Sequence, residues 1–223
     1  MNRAIKGLII KDFKLVKSQM KFFFMIMILW GVFMTTQLNM ATFFVGYVAV
    51  LCSFITLSTL NYDEFDNGSA YLMTLPISRK DYIVGKYLFG MLITTIPFAV
   101  ASMLSWVVLI VRGTEMRFAE YFMSIIVLIP MAYLLLALEI PLQVKFGQEK
   151  SRMISVILIG GFSAGIGIIS YMSKLVGDNG IEAATGIVRL GTGVLVMLVV
   201  AALAVLMWIS YKISCRFMEK KEF

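Results

Sequence analysis

The residues best equipped for chemistry lie close together. Asp63, Glu64 and Asp66 fall within four positions around Phe65, and Arg79, Lys80, Asp81 and Lys86 follow. Between the two groups sits an aromatic and apolar patch of Tyr71, Leu72, Met73 and Leu75. Neighbouring carboxylates suit acid–base catalysis or metal binding, but the chain has no histidine to act as proton shuttle or ligand. Its serines therefore lack the usual imidazole base. No phosphate-binding Gly-x-x-x-x-Gly-Lys-Ser/Thr pattern occurs: Gly85-Lys86 has Lys80 where the first glycine belongs and Tyr87 where the hydroxyl belongs. What remains is recognition. Aromatic anchors flanked by acids read as a docking element for another protein, against the plainer reading of a solvated acidic face.

The rest of the chain must hold that element at a membrane. Of 223 residues, 60% are hydrophobic and 15% charged, where a soluble domain uses about 25% charged residues. Mean hydropathy is +0.90. Several runs reach the roughly 20 apolar residues that cross hydrocarbon. The net charge of +7 points to membrane orientation here rather than to nucleic acid. Two cysteines, Cys52 and Cys215, make no disulfide framework. The run after Lys21 has a positive flank but no small-residue cleavage site, so it reads as a retained first span.

Residues 1–21 carry six Lys/Arg and one acid, Asp12. Ile5, Leu8, Ile9, Asp12/Phe13 and Val16 fall near one helical face, and Lys6, Lys14 and Lys17 more to the other. This predicts an amphipathic elbow helix, its apolar face in the headgroup boundary and its lysines toward anionic lipid. A merely basic flank is the alternative.

Six spans are expected, at about 22–38, 41–60, 87–111, 121–140, 153–173 and 190–211, with a tail at 212–223. Asn67-Gly68 signals a turn, Pro76 resets the chain, and Ser78 can cap a helix whose third position is Asp81. Asn67-Gly68-Ser69 also fits a glycosylation pattern, taken as chance on a cytoplasmic loop. Pro97 and Pro130 fall inside spans as kinks or gates. Pro141 closes the fourth span, and residues 143–152 form a small polar loop. Gly161 and Gly165 are a small-xxx-small pair, serving close packing or a hinge. The one acid within an expected span, Glu139 near the inner end of the fourth, either snorkels to water or meets Lys145. Counting bases, sixteen fall on the side of the termini and four opposite, which places both termini in the cytoplasm.

The stretch YDEFDNGSAYLMTLPISRKDYIVGKY resembles the region between spans 2 and 3 of ABC-2 type transporter permeases. It is closest in kind to the small bacterial group serving phenol-soluble-modulin export and related peptide or bacteriocin-immunity systems. The matching features are the acid-rich start Asp63-Glu64-Phe65, then Leu75-Pro76-Ile77-Ser78-Arg79, then the apolar start at Tyr82. The opening IIKDFKLVKSQ is similar too. The resemblance implies an all-α, six-span, type V exporter-like transmembrane domain with an elbow helix. It implies a homo- or heterodimer of permease subunits in the cell membrane, docked on two copies of a separate ATPase. ATP and Mg would sit on that partner, with no cofactor in this chain. ATPase coupling would fall to Asp63, Glu64, Phe65, Asp66, Tyr71, Leu72, Met73 and Leu75, supported by Pro76, Ser78 and Arg79. Lys6, Lys11, Phe13, Lys14 and Lys17 would belong to the elbow. Export of an amphipathic peptide, antimicrobial or lipid-like substrate follows from the resemblance. An ATPase-independent carrier or channel, or an assembly or immunity protein, is the alternative.

Overall fold

The computed structural model describes residues 3–36, 41–65, 68–114, 117–126, 128–176 and 192–221. Every regular element among them is an α-helix: α1 (Arg3–Thr36), α2 (Ala41–Glu64), α3 (Gly68–Thr74), α4 (Arg79–Val111), α5 (Phe118–Ile126), α6 (Leu128–Val176) and α7 (Thr192–Lys220). Hydrocarbon offers backbone groups no partners, so long apolar runs satisfy them internally as helices, even where they are rich in β-branched residues. Among the described residues, four segments are long and apolar enough to cross a membrane: Phe43–Glu64, Arg79–Val111, Phe118–Ser151 and Met197–Lys220. The other two expected spans, 22–38 and 153–173, are helical where described, within α1 and α6.

Four expectations are corrected. The elbow and first span are one uninterrupted helix, because nothing between Lys17 and Met25 breaks a helix. The apolar face of its first half rests on protein: Leu8, Ile9 and Val16 are buried in the core. The loop expected at 143–152 is reduced to a sharp break between two helices, and Pro141 does not end the first of them. Proline at 141 cannot donate to the carbonyl four residues back; the Ser210 hydroxyl donates to that Ala137 carbonyl instead. The interruption comes at Gly147 (φ 74°, ψ −179°), a backbone region essentially reserved for glycine. Finally, the tail is no separate element, since α7 runs on through Lys220 with Ser214, Cys215 and Met218 buried.

Helices α2 and α4 form the centre, with α6 against α2, α7 against α6 and α4, and the first half of α1 against α4. Lipid tails are as apolar as leucine, so close packing and hydrogen bonds hold such a bundle. Gly90 brings α4 against Thr56 of α2: a Cβ there would lie 3.1 Å from the Thr56 methyl carbon. Gly85 does the same toward Leu8. Ser53 donates to the Ala132 carbonyl at 3.2 Å, tying α2 to α6. Pro97 sits within a continuous α4, and Pro130 within the first described turn of α6. Gly161 and Gly165 are helical residues of α6, and what they pack against lies outside the described residues.

Candidate functional site

The polar stretch folds as a short arm at one end of the bundle. Helix α2 ends at Glu64, and the chain turns back so tightly that a Cβ on Gly68 would sit 2.9 Å from the Asp63 carbonyl oxygen. Ser69 donates to that same carbonyl at 2.9 Å, closing the end of α2. After α3, a three-residue turn centred on Pro76 (Ile77 N–H to Leu75 carbonyl, 2.7 Å) redirects the chain. Ser78 then caps α4 as its sequence suggested. Its hydroxyl accepts from the Asp81 N–H at 3.0 Å and donates to the Asp81 carboxylate at 2.8 Å.

Two further anchors fix the arm. Arg79 donates to the carbonyls of Met218 (3.0 Å) and Glu219 (2.6 Å), satisfying the end of α7. Lys221 pairs with Glu64 at 2.8 Å. The Glu64 carboxylate is thereby held by the far end of the chain.

With the arm held this way, its side chains divide. Phe65 and Tyr71 are 69% and 70% exposed, and Leu75 stands out beside them. Leu75 follows directly after the end of α3. Leu72, one residue after Tyr71, is buried, and Met73 is half-buried against the same core. Asp63 is not on a rim at all: it is buried and bound within the chain. Asp66 lies outside the described residues.

Asp63 belongs to a buried charge cluster joining three helices. Lys86 of α4, only 1% exposed, lies 2.9 Å from both carboxylate oxygens of Asp12 in α1. It also lies 2.8 Å from Asp63 and 3.1 Å from the Thr59 hydroxyl in α2. Lys11 of α1 pairs with Asp63 and, at 3.3 Å, with Asp12. The Tyr82 hydroxyl donates to Asp63 at 3.0 Å. Two carboxylates and two ammonium groups thus balance. Burial pushes the Asp12 carboxyl above the ordinary carboxylate range, opposed by Lys86 and Lys11. Lys11 is accordingly no lipid-facing elbow lysine, whereas Lys6, Lys14 and Lys17 stay exposed and Phe13 packs edge-on against Phe89. Asp12 and Lys86 went unrecognised as partners in the sequence. The signal was Asp12 itself, an acid on the apolar face of its helix.

Two cavities lie between the helices of the bundle. One, of about 600 Å³, lies between α4, α6 and α7 and is walled by apolar and aromatic residues including Tyr87, Tyr133, Trp208 and Tyr211. The other, of about 390 Å³, separates α2 from the two parts of α6 and contains Glu139. Among the described residues no group of three or more acids or cysteines could hold a metal.

The family described as ABC-2 family transporter protein matches residues 7–219, nearly the whole chain. The chain belongs to the ABC-2 transporter family. No curated protein and no solved structure matches it. It is a membrane protein and an ABC transporter permease subunit, a class that associates with an ABC ATPase. As an ABC-2 permease it presents the exposed Phe65–Tyr71–Leu75 face on an arm clamped at its base by the Asp12–Lys86–Asp63–Lys11 cluster.

Proposed function

We propose that the arm formed by α3 is the coupling element through which a separate cytoplasmic ATPase drives this permease as an exporter. The observation that carries this reading is the pair of exposed aromatics, Phe65 just past the end of α2 and Tyr71 on the short helix α3, with a buried foot at Leu72. Exposed aromatic anchors of this kind fill pockets on a partner and dominate interface energy. The foot, the Ser78 cap and the Arg79 clamp make the arm stiff, so a push on it reaches α2 and α4 directly. The Lys86 cluster passes the same movement to α1.

In this reading six spans cross the membrane with both termini cytoplasmic. Two permease subunits, alike or different, meet two ATPase copies, which bind ATP and Mg. Glu64, Met73 and Asp66 border the contact, while Asp63 and Leu72 hold the arm from within. The substrate is amphipathic or lipid-like, a peptide or antimicrobial included. The apolar, tyrosine-rimmed cavity between α4, α6 and α7 supports that class.

The test is reconstitution of the permease with its ATPase in liposomes. Phe65→Ala and Tyr71→Ala should each weaken ATPase binding by about 2 kcal/mol, roughly thirtyfold, with insertion unchanged. Full binding and full substrate-stimulated hydrolysis in the double variant would remove α3 from the docking role. Transport by the permease alone would favour a secondary carrier.

A further inference from the structure

We propose that the cavity around Glu139 is a binding site for an alkylammonium group, the cationic end of an amphipathic ligand. Glu139 is 3% exposed, and among the described residues neither carboxylate oxygen has a hydrogen-bond partner. An ionisable group within a membrane-crossing helix, unpaired and facing a cavity, marks a functional site. The sequence offered Lys145 as its partner. Lys145 is six residues further on, which places it on another face of α6, and its ammonium lies over the rings of Phe146 and Phe217 at 4.7 and 5.0 Å. The buried ammonium of Lys86 is spent on Asp12 and Asp63.

The wall specifies the ligand. Ser58 and Asn61 of α2, Gln143 beside Glu139, and Ser151 and Ser155 beyond Gly147 supply polar groups. Ser151 already donates to the Gln148 carbonyl at 3.1 Å, so its remaining capacity is as an acceptor. Gln143 donates its amide to Asn61. An anion would meet Glu139 with like charge. A purely apolar guest would leave these buried polar atoms unpaired. A bare metal ion would find a single carboxylate in a space of about 390 Å³, room for roughly a dozen waters. An ammonium on a short alkyl stem answers both halves of the wall: its three N–H donors meet Glu139 and serine oxygens, and its stem lies along Phe54, Leu57 and Val156.

The site deepens the exporter reading and rests on it for its place in transport, but binding itself needs no ATPase. The experiment therefore uses the permease alone in nanodiscs, titrated calorimetrically with pentylammonium and with 1-pentanol. Pentylammonium should bind one saturable site about tenfold or more tighter than pentanol. Glu139→Gln should remove that advantage, and Ser155→Leu, which fills the cavity while keeping the carboxylate, should abolish saturable binding. Equal affinity for the two probes, absence of saturable pentylammonium binding by the unaltered chain, or displacement by equimolar Na⁺ would overturn the assignment. None of these outcomes touches ATPase docking through α3, and loss of that docking leaves this site standing.

Discussion

Removing Lys86 should damage this protein more than removing Lys86 and Asp12 together. Its ammonium lies 2.9 Å from both Asp12 oxygens and 2.8 Å from Asp63, at 1% exposure. With an effective dielectric of about 20, each contact is worth about 6 kcal/mol before desolvation. Most of that is offset by the cost of stripping water from the ions. Lys86→Met leaves two buried carboxylates facing one remaining ammonium, Lys11, so the cluster carries an uncompensated negative charge. Breaking one partner of such a pair costs about 3–5 kcal/mol. Adding Asp12→Asn restores balance, because Lys11 still pairs with Asp63. The double variant should recover about 2 kcal/mol or more of the loss. Unfolding free energies measured by steric trapping in bicelles for the wild type, both single variants and the double complete the cycle. Added salt should leave the coupling unchanged, since buried pairs are poorly screened. Simple additivity of the two substitutions would refute the cluster as an electrostatic unit.

Two further outcomes are expected. Gly147→Ala should destabilise the chain by about 1–3 kcal/mol, because φ 74° with ψ −179° admits little besides glycine; an unchanged unfolding midpoint would mean α6 runs straight through this point. With Cys52 and Cys215 replaced by serine, Thr114→Cys should react with an impermeant maleimide from outside intact cells and Glu149→Cys only after permeabilisation; the reverse pattern refutes cytoplasmic termini.

The spacing of apolar runs determined that this is a helical membrane protein, because the bilayer sets a minimum length and forces backbone groups to pair internally. The Ser78 cap and the redirection at Pro76 were equally local, involving residues at most three apart. The family resemblance rested on the same short stretch. Which acids of that stretch face outward was not legible, because exposure depends on partners far along the chain. Asp63 pairs with Lys11 and Lys86, and Glu64 with Lys221, at separations set only by packing. Pro141 looked like a helix end, but the Ser210 hydroxyl, seventy-three residues from Ala137 in sequence, bonds the Ala137 carbonyl that the proline leaves without a donor. Glu139 stood out in the sequence as the one acid inside an expected span. Its isolation came from the tertiary structure, which turns Lys145 to another face of α6 and opens a polar cavity in front of the carboxylate.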